Sequence, residues 1–367
     1  MVPVGEISPS TGSTLSLATA KKWLDDCLRD HHICASRAGQ FNPTRLVDLG
    51  LEEEPRPRLF EVPADCEKLS YMTLSHCWGG KVRYTLTSRG LQPMLAKIPM
   101  TKLSKTVKDA ITVVRALGIR YIWIDTLCII QDSVSDWQKE STRMGDVYKN
   151  SVCTIAASAA SNGDVGCFFQ RDIHLIKPCR IRNVSSSGVE EFYCMDRDIW
   201  KSEIEAAPLN YRGWVLQELL LSPRTLHFGR NQIFYACRKL EACEAFPGGL
   251  PSTILNGTVK MISDEIMSPA HYYEQTLFAW AQIIEHYTQR KLTNGEDKLV
   301  AVSALAKEIG AILNDEYLAG IWRKTLPWGL LWSVFSYDVL DAIRSPRYRA
   351  PSCRCWGEPL FLFWHVS

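Results

Sequence analysis

Neither sign of charge is in excess in this 367-residue chain: 42 Lys and Arg face 40 Asp and Glu, a formal net charge of +2. Such a balance provides no field to attract nucleic acid or an anionic membrane. A continuous apolar run of the ~18 residues that would suggest a membrane span is also missing. The stretch from Trp322 to Leu340 comes nearest, and Lys324, Pro327, Gly329, Ser333 and Asp338 interrupt it. Met1 to Ala20 has neither a basic start nor an unbroken apolar core, so it does not read as a secretory leader, and a cytoplasmic location is expected. There is no Gly-x-x-x-x-Gly-Lys-Ser/Thr loop, Gly-x-Gly-x-x-Gly turn, Gly-x-Ser-x-Gly elbow or His-Glu-x-x-His helix. These absences argue against nucleoside triphosphate hydrolysis, dinucleotide redox chemistry, serine hydrolysis and zinc proteolysis. Internal repeats and long low-complexity tracts are absent too, and only Glu52 to Pro57 reads as a short solvated spacer.

With 46% hydrophobic and 22% charged residues, the chain has the composition of a globular protein with a sizeable core and more than one subdomain. Its 13 cysteines are scattered, several of them within apolar strand-like runs. In a long cytosolic chain, cysteines in that setting act as buried small hydrophobes rather than as a disulfide framework. Cys27, His31 and Cys34 stand at i, i+4 and i+7, which is one face of a helix starting near Ala18. They read either as three metal ligands or as a buried helix face with His31 or His32 solvated. No fourth ligand is evident, so no metal is assigned; Cys237 with Cys243 and Cys353 with Cys355 are weaker pairs.

From Tyr71 the pattern alternates. Tyr71 to Cys77 reads as an apolar strand stopped by Trp78-Gly79-Gly80. Residues Lys105 to Leu117 place Val107, Ala110, Ile111, Val114 and Leu117 on one helical face, with Ser104 to cap the start and Gly118 to end it. Tyr121 to Asp125 reads as a second strand, apolar as expected for one covered on both faces. Ser135 to Gln138 has capping-box spacing ahead of a helix that ends at Asn150, and Ser151 to Ala157 reads as a third strand. This order predicts a parallel sheet with helices on both faces, binding ligands at the carboxyl ends of its strands. Two β-hairpins are expected, one inside an insertion from Gly163 to Pro208 and one over Arg224 to Cys237. Helices are expected over Tyr272 to Arg290 and Asp297 to Leu313.

Candidate chemistry gathers at the strand ends. Ser75, His76, Trp78, Gly79 and Gly80 fall where the first strand leaves the sheet; they either line a ligand site or simply shape a tight strand exit. Asp125 closes the second strand and either binds a ribose hydroxyl, orients His76 or caps the next turn. Cys128 suits a buried structural role better than a nucleophilic one. Trp214 and Glu218 are four residues apart: either Glu218 is functional, or the segment is an amphipathic turn with Trp214 buried and Glu218 solvated. Arg212 is a candidate phosphate contact or the partner of a local acid.

Three blocks, Tyr71 to Gly80 (YMTLSHCWGG), Tyr121 to Asp132 (YIWIDTLCIIQD) and Arg212 to Arg224 (RGWVLQELLLSPR), together resemble the signature of the fungal heterokaryon-incompatibility (HET) domain. The resemblance spans about Tyr71 to Leu221. It implies a part in self/non-self recognition, an innate-immune-like role in programmed cell death, and a TIR-like (flavodoxin-like) α/β fold. Trp214 to Leu219 resembles the Trp-Cys-x-x-Glu-Leu element of TIR domains, with Val215 replacing the cysteine. This likeness implies Glu218 as the catalytic carboxylate of an NAD(P)-cleaving hydrolase, with NAD(P) as substrate rather than as a permanently bound cofactor. Ser75, His76, Trp78, Gly79, Asp125, Arg212 and Trp214 would then line the binding site. The alternative it implies is a non-enzymatic death adaptor that acts by self-association or by binding an incompatibility partner.

The expected division is an approach segment over 1–70, a HET domain over 71–221 and a hairpin with a mainly helical extension over 222–367. Asp297 to Ala306, Tyr317 to Trp322 and Tyr348 to Ser352 resemble the extension of fungal HET proteins. That family tends to continue with Trp-Ser-Trp-Ala after Pro351-Ser352, whereas this chain reads Cys353-Arg354-Cys355-Trp356-Gly357, which suggests an end truncated or frame-altered after 352.

Overall fold

All five residues of Tyr71–Ser75 are buried, and the main sheet extends outward from them on both sides. The computed structural model describes residues 5–34, 41–50, 56–80, 84–185, 188–251, 254, 273–318 and 320–326. The chain divides into two compact units, one of Met1–Asn210 with Ser222–Asn256 and the other of Tyr211–Leu221 with Gly257–Ser367.

The first unit opens with helix α1 (Thr14–Asp30) and strands β1 (Arg45–Asp48), β2 (Arg58–Glu61) and β3 (Tyr71–Ser75). Next come α2 (Leu91–Ala96), α3 (Lys105–Ala116), β4 (Tyr121–Trp123), the short α4 (Asp125–Cys128), α5 (Val134–Asn150) and β5 (Thr154–Ala156). A short α6 (Ile173–Ile176) precedes a separate hairpin of β6 (Cys179–Ser185) and β7 (Gly188–Cys194). After α7 (Gly213–Leu221), which belongs to the second unit, β8 (Arg224–Phe228), β9 (Ile233–Cys237) and β10 (Glu241–Cys243) complete the first unit's sheet.

This sheet has eight strands in the order β10-β9-β8-β5-β3-β4-β1-β2. Its middle strands β8, β5, β3 and β4 are parallel. Both edges are antiparallel, with β9 and β10 on one side and β1 and β2 on the other. The centre of the sheet is thus parallel as expected, and its edges make the sheet as a whole mixed. The turn from Phe228 to Ile233 is too short for the crossover that a parallel pair requires, so β9 folds back beside β8. At the other edge, residues read as an approach segment supply two strands. Arg45-Leu46-Val47-Asp48 is buried throughout, yet its terminal charges hide it from a search for apolar runs.

Helix α3 forms as its periodicity predicts, with Val107, Ala110, Ile111, Val113 and Val114 buried and packing on β3 and β4. Ser104 Oγ accepts the Val107 N–H at 3.4 Å, and Gly118 takes a φ of +77° just past the helix end. Helix α5 starts earlier than expected: Ser133, not Ser135, caps it by accepting the Asp136 N–H at 3.2 Å. Asp136 is in turn held by Arg45, which fixes the helix start two residues upstream. The second strand also ends early, since β4 stops at Trp123 and Asp125 opens α4.

In the second unit, α7 packs with α8 (Tyr273–Thr288) and α9 (Val300–Leu313), followed by the paired strands β11 (Tyr317–Leu318) and β12 (Ile321–Trp322). Leu216 and Leu220 of α7 share one core with Trp280, Ile283, Tyr287, Leu305, Ile309 and Trp322. Both expected helices are present. Tyr348 to Ser352 and the residues after them lie outside the described residues. No described helix is long and apolar enough to cross a membrane.

Candidate functional site

The carboxyl ends of three parallel strands converge on one cavity of about 410 Å³ in the first unit. Its volume lies within the ~300–1,000 Å³ of small-molecule sites. His76, Trp78, Gly79 and Gly80 enter from the end of β3, Thr126 and Leu127 from the segment after β4, and Asn162, Gly163 and Asp164 from the loop after β5. Ser104 and Val107, at the start of α3, form another wall.

The tightest link at this rim joins two of the sequence blocks. Trp78 Nε1 donates to Asp125 Oδ2 at 2.8 Å, while Asp125 Oδ1 accepts the Thr126 N–H at 2.7 Å. His76 Nδ1 lies 3.8 Å from Asp125 Oδ1, and the imidazole is almost fully buried. Gln131 Nε2 donates to the Asp125 carbonyl at 3.0 Å and so ties the end of the second block back to its aspartate. The Thr126 contact is local to the turn that Asp125 opens, whereas 3.8 Å is too long for a hydrogen bond from Asp125 to the His76 ring.

Gly79 adopts a φ of +76°, and a Cβ there would stand 2.7 Å from Asn162 Cβ. Glycine is needed because the β3 exit both turns left-handed and passes against the β5 loop. That loop is cross-linked to α3, since the Gly163 carbonyl accepts the Thr106 N–H at 2.9 Å and Thr106 Oγ1 at 3.0 Å. Burial pushes the phenol of Tyr84, another wall residue, above its ordinary value. Cys128 is buried and its thiol is pushed up to about 12 by desolvation, which makes it a structural thiol rather than a nucleophile.

Of the residues singled out in the sequence, His76, Trp78 and Gly79 line this cavity in the first unit; Asp125 is not a wall residue but is hydrogen-bonded to Trp78, and Ser75 is buried at the end of β3 without lining the cavity. Arg212, Trp214 and Glu218 belong to the second unit. There Arg212 forms a parallel bridge with Lys291, and the Gly213 N–H donates to the Lys291 carbonyl at 2.8 Å. Trp214 Nε1 donates to Asp297 Oδ2 at 3.4 Å. Burial raises the carboxyl of Asp297, and this hydrogen bond opposes that shift. Glu218 is 3% exposed within α7, so the solvated amphipathic turn does not occur; the carboxylate faces protein on an almost wholly buried helix. Sequence reading missed Ser104, Asn162, Gly163 and Asp164 as wall residues. The signal for the last three was an Asn-Gly-Asp turn following a parallel strand, the same position that drew attention to His76, while Ser104 had been read only as the cap of α3.

A parallel-centred α/β sheet with a polar cavity at its carboxyl edge defines the class of molecule. Residues 71–218 match the family model described as Heterokaryon incompatibility protein (HET), and this segment of the chain is a HET domain. Comparison with curated proteins and with solved structures gave no match.

Proposed function

We propose that the protein acts in heterokaryon incompatibility as a trigger of programmed cell death, and that its HET domain binds a nucleotide-like ligand in the rim cavity. The observation that carries this reading is a cavity of about 410 Å³ within the matched segment, lined by His76 and Trp78, with Asp125 hydrogen-bonded to Trp78 behind its wall. Numbered along the chain, the four parallel strands lie in the order 2-1-3-4, which supports the TIR-like, flavodoxin-like reading of the domain. In such sheets ligands bind outside the carboxyl ends of the strands, where this cavity lies.

The chemistry proposed is cleavage of NAD(P) into nicotinamide and an ADP-ribose product, with Glu218 as the carboxylate. A carboxylate in that role stabilises the oxocarbenium-like ribosyl cation as nicotinamide leaves and then guides a water to it.

A second reading, a non-enzymatic adaptor, is favoured by the β6–β7 hairpin. Ile181, Val184, Val189 and Phe192 are all exposed on this two-stranded ribbon, providing apolar surface for self-association or for an incompatibility partner.

The test is nicotinamide release from NAD+ and NADP+ by the purified full chain, dilute and then crowded to promote assembly. The enzyme reading expects release that is lost in Glu218→Gln while circular dichroism is unchanged. If neither condition yields nicotinamide, the hydrolase reading fails. Cell death that persists in Glu218→Gln but is lost in Phe192→Ser would then identify the adaptor.

A further inference from the structure

Helix α1 ends at Asp30, not after Cys34 as the i, i+4, i+7 spacing suggests. His31 caps its C-terminus, and Cys34 sits in the 3-10 turn His32–Cys34, folded back so that its N–H donates to the His31 carbonyl at 2.8 Å. This knuckle turns Cys27, His31 and Cys34 toward the end of β9, where Cys237 meets them. The ligand atoms of all four residues lie within 4.8 Å of one another, and His31 Nδ1 is 3.3 Å from Cys237 Sγ. A zinc ion bound by thiolates at about 2.3 Å places its ligands at the corners of a tetrahedron with edges of about 3.8 Å, so the cluster has the right size.

A second feature concerns charge. Arg224, paired with Cys237 across the β8–β9 register, is buried and points its Nε–H at Cys27 Sγ from 3.1 Å. Its other donors reach the Cys34 carbonyl at 3.1 Å and the Val152 carbonyl at 3.2 Å. The titratable groups that act on it are Cys27, Tyr235 and Cys153, none of them a carboxylate. Buried guanidinium groups are normally balanced by an anion. Three thiolates with one divalent cation carry a net charge of −1, which Arg224 neutralises.

The geometry points to a zinc site of Cys27, His31, Cys34 and Cys237 that clasps the end of α1 to the edge hairpin of the sheet. Four protein ligands leave no open position for water or substrate, so the site is structural. Thiolate-rich tetrahedral coordination selects zinc among the common divalent metals. Cys237, and not a closer cysteine in sequence, supplies the fourth ligand, and it does so from more than two hundred residues downstream.

The experiment is metal analysis of the full chain purified without added metal, followed by Co2+ titration of the chelator-treated wild-type protein. The expected result is one zinc per chain, and on titration a thiolate-to-Co2+ charge-transfer band together with the visible bands of tetrahedral Co2+, saturating at one equivalent. Cys237→Ser is expected to lose the stoichiometric zinc, whereas His32→Ala, which alters an exposed neighbour, retains it. Because the Co2+ spectrum is read on the wild-type chain, the outcome does not depend on a variant folding. Folded protein without zinc and without these bands, or a disulfide joining any two of the three cysteines, overturns the assignment.

Discussion

Trp78 and Asp125, the residues that follow β3 and β4, are joined by an indole-to-carboxylate hydrogen bond of 2.8 Å. The bond makes one rim out of two sequence blocks that are 47 residues apart. Replacing Trp78 by Phe keeps an aromatic ring but leaves Asp125 Oδ2 short of a donor. Removing one partner of a largely buried pair costs about 1–3 kcal/mol. Thermal or urea unfolding of Trp78→Phe should show a loss in that range, and a ligand that protects the wild type should protect the variant less. Unchanged stability would mean that water replaces the indole freely and that the rim is not held by this bond.

Two adjacent glycines give a controlled comparison at the same exit. At Gly79 a methyl group meets Asn162 Cβ at 2.7 Å on a backbone with φ of +76°, while at Gly80 a Cβ meets nothing within 4 Å. The left-handed conformation alone costs a non-glycine residue about 1–2 kcal/mol. Gly79→Ala is therefore expected to lower the denaturation midpoint by at least that amount, and Gly80→Ala to leave it nearly unchanged. Equal effects at the two positions would contradict the close approach of the β3 exit to the β5 loop.

How far the rim could be read from sequence follows from the reach of each signal. Ser104 and Gly118 mark α3 because a cap and a left-handed stop are local effects, written within a few residues. His76, Trp78 and Asp125 stood out because they end apolar strands. β1 and β2 did not, since short strands with charged ends acquire their identity only by pairing with β4 and with each other. The same limit hid Cys237, whose relation to Cys27 and Cys34 exists only once β9 returns along β8. The local spacing of Trp214 and Glu218 gave their place on one helix, but it did not reveal that Glu218 is buried.

Acid should unfold the first unit through particular carboxylates. Burial alone would raise Asp48, but the Arg120 guanidinium at 2.7 and 2.8 Å and the Gly50 N–H outweigh it and hold the carboxyl below its usual value. Asp136 behaves in the same way: burial works to raise it, and Arg45 with the Ile130 N–H lowers it on balance. A carboxylate with a depressed folded-state pKa stabilises the fold fully above its unfolded value of about 3.9, and that stabilisation is lost as pH falls through the folded value. The melting temperature should accordingly be flat near neutrality and decline below about pH 4. Asp136→Asn should start from a lower melting temperature and show a shallower acid decline; an unaltered acid limb would remove Asp136 from the account.

The buried pair of Arg171 and Glu244 offers the sharpest test of how the first unit is held together. Both side chains are essentially inaccessible, at 0% and 2% exposure. Glu244 Oε1 accepts from Arg171 Nη2 at 2.8 Å and from Ser16 Oγ at 2.6 Å, while Oε2 accepts from Arg171 Nη1 and from the Ile233 N–H at 2.9 Å. Arg171 also donates to the Ser8 carbonyl at 2.7 Å and the Asn231 carbonyl at 2.8 Å. The start of α1, the segment before α6 and the β8–β9–β10 edge thus share one charge network. Removing one member of a buried ion pair costs about 3–5 kcal/mol because the other is left uncompensated, whereas replacing both with apolar residues of similar volume costs far less. Glu244→Leu and Arg171→Met should each destabilise strongly, and the double variant should recover much of the loss. In a double-mutant cycle read by urea unfolding, the two changes should couple by well over the ~0.5 kcal/mol expected of independent sites. Additive losses would show that the pair is not a unit and that the packing around each side chain, rather than their mutual charge, holds the three segments together.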